Sequence, residues 1–256
     1  MKLGAGHRVL IAAGLLFVST FAVADNVLVV GGPVTGTTLT IKDSALTALN
    51  SGWASGVTAY IDPYHGTLNG QSVLLFCIDP NHLDNASSGG YKVNISPNGT
   101  DNTTLQALNL AGSVVPTSHV LSQAALNAGF TTASDLYGGL AWLSQQLQGT
   151  SDTLLRQEYQ AAIWQLGDYT STFTVVSAPQ GYDQTLVNSF EHDALTNRLT
   201  SGFSVLTDAN EIANGKNAGQ EYIILTPEPS SVMLCASGLI GFLMLRRRKL
   251  GDYGRA

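Results

Sequence analysis

Two residues in this chain have types and settings that point to chemistry. Cys77 ends the apolar string Val73-Leu74-Leu75-Phe76-Cys77, which Ile78 and Asp79 follow. The other cysteine, Cys235, lies in an apolar run near the C-terminus, so Cys77 is the single thiol of the long middle segment. Such a thiol is a small buried hydrophobe, an intermolecular disulfide partner, a nucleophile, or half of some other covalent bond. Gln160 lies in Tyr159-Gln160-Ala161-Ala162-Ile163-Trp164. On a helix, Gln160, Ile163 and Trp164 share one side. A buried carboxamide without partners costs a few kcal/mol, so either that face meets water or the amide has a specific partner.

The elements that must carry these residues follow from hydrophobic period and turn chemistry. The first half reads as strands: Asn26–Val30, then a turn at Gly31-Gly32-Pro33, then Thr37–Ile41, Val57–Ile61, Ser72–Asp79 and Tyr91–Ile95. Ser72–Asp79 is nearly all apolar, as a buried strand is. Residues 81–90 and 96–104 are polar and Gly-rich loops. The second half reads as helices over His119–Ala128, Ser134–Leu147, Asp152–Leu166 and Asp183–Leu199, with Ser134 and Asp152 as start signals and Gly167 as a stop. Glu221–Leu225 is a closing strand. The expected fold is α+β, a β-rich, sandwich- or barrel-like first half packed with a helical second half, plus a C-terminal transmembrane helix.

Both ends read as export machinery. Residues 1–24 have a weakly basic start (Lys2, His7, Arg8), an apolar stretch, and the small-x-small site Ala22-Val23-Ala24, the parts of a secretory signal. At the other end Pro227-Glu228-Pro229 precedes an apolar run and then Arg246-Arg247-Arg248-Lys249. Residues 231–245 are the membrane-contacting stretch, and the basic cluster stays cytoplasmic by the positive-inside rule. An ordinary C-terminal anchor has the same outline. This order of motif, apolar run and arginines resembles the PEP-CTERM sorting signal of Gram-negative bacteria. The resemblance implies recognition by an exosortase-type sorting enzyme, transit through the inner membrane, removal of the tail over residues 227–256, and delivery to the cell surface or extracellular matrix. The ectodomain is then residues 25–226, long enough for one domain with a real core. It holds five basic side chains against sixteen acidic ones, a net charge near −11, which argues against a nucleic-acid partner.

The central residues carry a second resemblance. Phe76-Cys77-Ile78-Asp79 is similar to the aromatic-Cys strand motif of bacterial surface thioester domains. Tyr159-Gln160-Ala161-Ala162-Ile163-Trp164 resembles their Thr-Gln-x-Ala-Ile-Trp helix motif, the TQXA signature, with Tyr159 in place of the usual Thr. The order also matches, the Gln following the Cys by roughly 80 residues. The resemblance implies an internal thioester between Cys77 and Gln160, with Phe76, Tyr159 and Trp164 as shielding neighbours. It implies single-use covalent adhesion to an amine or hydroxyl of a surface protein or glycan, and no turnover enzyme.

Other candidates are weaker. His82 lies five residues beyond Cys77, a conceivable Cys-His hydrolase pair, but no oxyanion or orienting motif accompanies it. His65, His82, His119 and His192 lack metal-ligand spacing. Asp79, Asn81, Asp84 and Asn85 lack the calcium-loop order and read as solvated turn residues. No metal or cofactor is expected, and Trp53 and Trp142 read as core. The alternative to the thioester is a non-covalent matrix or biofilm protein in which Cys77 is a buried spectator.

Overall fold

The computed structural model describes residues 26–44, 51–80, 90–100, 121–168, 171–209 and 220–226. Strand β1 (Val27–Pro33) runs through Gly31-Gly32-Pro33, where the sequence led us to expect a turn. The glycines and Pro33 are absorbed as a register shift against the next barrel strand, between Val30 and Pro33, a bulge-type irregularity that tolerates proline's missing N–H. Strands β2 (Thr38–Lys42) and β3 (Val57–Tyr60) lie close to their expected bounds. Strand β4 (Tyr64–Leu68) was not expected. It forms a hairpin with β5 (Gln71–Cys77) across Asn69-Gly70. Both turn residues have positive φ, 52° and 78°, the requirement of a type I′ turn. Strand β6 is Tyr91–Pro97.

The helices are α1 (Gln123–Ala128), α2 (Ala133–Gly149), α3 (Thr153–Gly167) and α4 (Gln184–Thr196). Each begins on a side-chain cap. Ser122 accepts from Ala125 N–H, Thr132 from Asp135, Asp152 from Leu154 and Leu155, and Asp183 from Thr185. The α2 cap is Thr132 rather than the expected Ser134. Helices α2, α3 and α4 pack on one another, and α1 packs on α3 and α4. Between α3 and α4 lies β7 (Thr174–Ser177), and after α4 come β8 (Phe203–Asp208) and β9 (Tyr222–Leu225).

The closed barrel has the order β1-β4-β5-β9-β8-β6, and a separate three-stranded sheet has the order β3-β2-β7. The α+β class and barrel-like sheet agree with expectation, with one change. The barrel is not a product of the first half alone, because β8 and β9 return after the helices and fill the gap between β5 and β6.

Register fixes what faces inward, since directly opposed residues share a face and faces alternate along a strand. Cys77 opposes Tyr222, Tyr222 opposes Leu206, Leu206 opposes Ile95, and Leu75 opposes Tyr64. Leu28, Leu75, Cys77, Val93, Leu206 and Tyr222 are all buried on this inner face. On the outer face Val27 and Val29 of β1 are exposed, while Phe76, Phe203, Val205 and Ile223 are buried. The helical layer covers that side, with α2 against β9.

Among the described residues no helix is long and apolar enough to cross a membrane. The expected transmembrane stretch at 231–245, the secretory signal at 1–24 and the sorting tail at 227–256 lie outside the described residues.

The barrel and helical layer meet tightly at Gly167. A Cβ there would stand 2.3 Å from the Ile78 carbonyl oxygen, just beyond β5. At Gly149, the last residue of α2, a Cβ would meet nothing within 4 Å. Gly167→Ala is therefore expected to cost about 1–3 kcal/mol of stability through overpacking. Gly149→Ala is expected to be neutral or slightly stabilising. Urea denaturation of both variants checks the contrast, and equal midpoints would refute it.

Candidate functional site

Cys77 closes β5 and Gln160 lies in the middle of α3. The structure brings them together: Gln160 Nε2 donates to the Cys77 carbonyl oxygen at 2.9 Å. Both residues are almost wholly buried, at 3% and 2% exposure. The carboxamide on an apolar helix face thus has a specific partner. The Cys77 thiol donates to the Asp79 carbonyl oxygen at 3.6 Å, across the turn that leaves the strand. Asp79 is itself fully buried, which corrects the reading of it as a solvated turn residue.

Helix α3 is fixed at both ends, and this sets where Gln160 falls. Near its start, Arg156 Nε donates to Asp62 Oδ1 at 2.9 Å, and Gln157 Nε2 donates to the Thr38 carbonyl at 3.0 Å. The Asp62 carboxylate is fully buried and also accepts from Thr35. Near its end are Gly167 against Ile78 and the Ser122 hydroxyl, which donates to the Leu166 carbonyl at 2.8 Å. The strand end is fixed too: Ile78 N–H donates to the Glu221 carbonyl at 3.1 Å.

The expected shielding residues lie in three different places. Trp164 is one helical turn beyond Gln160 on the same face, 2% exposed, with its ring edge-on to Phe173 at 6.1 Å. Phe76 is buried on the outer barrel face, opposite Ile223, so its side chain leaves the strand on the side away from that of Cys77. Tyr159 stacks on Phe190 of α4, ring centroids 4.2 Å apart, and so belongs to the α3–α4 contact. Burial is the main cause that pushes its hydroxyl pKa up, with the charges of Asp193 and Glu158 adding to it.

Of the other candidates, His65 and His192 are exposed, while His82, His119, Asn81, Asp84 and Asn85 lie outside the described residues. Trp53 and Trp142 are partly buried against the core, as expected.

One group of titratable residues escaped the sequence reading. Glu158 and Glu191 are buried where α3 meets α4, with Tyr182 beside them. Glu158 accepts from Asp183 N–H at 2.9 Å. Its carboxyl is held above the ordinary range, first by burial and then by the charges of Asp183 and Asp152, against the opposing hydrogen bond. Burial pushes Glu191 from 4.5 up to about 7. Tyr182 is pushed up to about 12 by burial and then by the two glutamates. The signal was present in the spacing: Val187, Phe190, Glu191 and Ala194 form one helical stripe, with the acid on its buried face.

A PEP-CTERM protein-sorting motif matches residues 225–249. The chain is thus an exported protein sorted by an exosortase. Pro227, Glu228 and Pro229, and Arg246, Arg247 and Arg248, all fall within the match, which starts at the last residue of β9. No curated protein matches the chain, and neither does any solved structure.

The buried acid of α4 has a measurable consequence. A carboxyl with a raised folded-state pKa adds stability that is complete below 4.5 and is lost as pH rises through about 7. Glu191→Gln removes that loss. The variant is expected to match wild type below pH 4.5 and to exceed it by on the order of 2 kcal/mol above pH 7. Denaturation curves across pH test this, and parallel curves would refute it.

Proposed function

We propose that the exported domain forms an internal thioester between Cys77 and Gln160 and uses it once, for covalent attachment to an amine or hydroxyl of a surface protein or glycan. The observation that carries this reading is the 2.9 Å hydrogen bond from the Gln160 carboxamide to Cys77. The sulfur lies only a few covalent bonds from the carbonyl that holds the amide. Both residues are buried, so little water competes for the amide or for the thiol.

The chemistry balances without a redox partner. Sγ attacks the Gln160 Cδ, the C–N bond breaks, and Nε2 departs as ammonia with the thiol proton. A thiolate is the strongest common side-chain nucleophile for this step. Proximity must supply much of the rate, because a free amide is a poor acyl donor. The thioester is more electrophilic than the amide it replaces. An incoming amine or hydroxyl then bonds to Cδ, and Cys77 returns as a thiol. The residue types follow from this route: asparagine is one methylene shorter, and serine gives a less reactive ester. The sorting motif is that of an exported protein, and an adhesive domain would meet its partners outside the cell.

A second reading has its own support. Cys77 shares the inner barrel face with Tyr222, and its thiol is hydrogen-bonded to Asp79 O. In a non-covalent matrix or biofilm protein those contacts would suffice, with the cysteine as packing. Intact mass separates the two. The thioester form is expected to be lighter by one ammonia and to resist thiol alkylation. Methylamine should add at Gln160 and expose Cys77, and Cys77→Ala or Gln160→Ala should abolish both effects. A full-mass protein that takes up no methylamine would establish the spectator reading.

A further inference from the structure

We propose that the Trp164 indole N–H is the hydrogen-bond donor that stabilises negative charge on the Gln160 carboxamide oxygen as the thioester forms and again as it opens. This rests on the thioester reading above. Trp164 is 2% exposed, yet its Nε1 has no acceptor among the described residues. Leaving a buried donor unpaired costs about 1–3 kcal/mol, and the indole is one of only two buried side-chain polar atoms so left among the described residues.

Its position points to one group. A helical side chain leans toward the helix N-terminus, over the residue four positions earlier. For Trp164 that residue is Gln160. The ring is held in place by Phe173, edge-on at 6.1 Å. Phe173 is fixed in turn, since its N–H and that of Thr172 each donate to Asp168 Oδ2 at 2.7 Å. Asp168 caps α3 by donating its own N–H to the Trp164 carbonyl at 2.9 Å. The indole is therefore a donor fixed in advance, in a dry setting.

The need for a donor arises during the reaction. When Sγ bonds to Cδ, the carbonyl electron pair moves onto Oε1. When that pair returns, Nε2 leaves as ammonia with the thiol proton. The indole keeps its proton throughout and supplies only its dipole, which counts for more where water is excluded.

The test uses the full chain in three forms: wild type, Trp164→Phe, and a chain carrying at position 164 alone the benzothiophene analogue of tryptophan, which replaces the N–H by sulfur. Intact mass reads thioester content, methylamine uptake reads the opening rate, and thermal melting reads the fold. Both altered chains are expected to lose the N–H-dependent rate, on the order of 100-fold as for other oxyanion donors, or to accumulate little thioester. The analogue chain should melt close to wild type. If Phe at this position prevents folding, the analogue, which preserves ring size, decides. An analogue chain that acquires thioester and takes up methylamine as wild type does would overturn the role of the indole while leaving the thioester standing. A wild-type chain that has lost no ammonia would overturn both.

Discussion

The contact between the end of β5 and the middle of α3 is the constraint on which the functional geometry depends. Its visible mark is the Gln160–Cys77 hydrogen bond, but one hydrogen bond contributes only about 1 kcal/mol net and does not place a helix. Placement comes from the flanks. Arg156 and Gln157 bind the start of α3 to Asp62 and Thr38. Gly167 lets its end reach the Ile78 carbonyl. With both ends fixed, the burial of Ala161, Ala162, Ile163 and Trp164 leaves the Gln160 amide one destination, the strand end.

The strand end owes its position to the last part of the chain. Cys77 is in register with Tyr222, and Ile78 donates to Glu221. The Glu221 side chain accepts from Tyr137 of α2 at 2.8 Å and from Thr207 of β8 at 2.7 Å, all fully buried. A single carboxylate therefore links barrel, helical layer and closing strands. The sorting motif begins at the last residue of that closing strand. The last barrel strand therefore ends just where the sorting motif starts.

Much of the fold was legible where one period dominates. The stretch from Gln71 to Cys77 and helices α2 to α4 follow from apolar runs, helical spacing and acidic or hydroxyl caps. The misses have physical causes. Asn69-Gly70 was a hairpin signal, but Tyr64–Leu68 contains His65 and Gly66 and lacks the apolar run that marks its partner. Strands β7 and β8 sit beside helices in a region read as helical, and their partners are distant in sequence. Gly31-Gly32-Pro33 read as a turn because barrel closure, a tertiary demand, overrode a local preference. The meeting of Cys77 and Gln160 could be posed from residue types but not located from them, because it depends on β9 inserting beside β5. The sequence also placed Tyr159 and Phe76 around the pair by adjacency alone. Neighbours on a strand or helix point in different directions, and each of the two packs elsewhere.

In the proposed thioester, a buried reactive acyl group would face opposed demands. It must exclude water, or it would hydrolyse before use, yet it must admit one nucleophile. Exposures of 2% and 3% meet the first demand. The second falls to whatever covers the pair. The position of α3 against the end of β5 is fixed by the Arg156–Asp62 ion pair and the close contact at Gly167. On the proposed function, the negative charge of residues 25–226, sixteen acidic against five basic, would draw a cationic amine toward the surface before any bond is made.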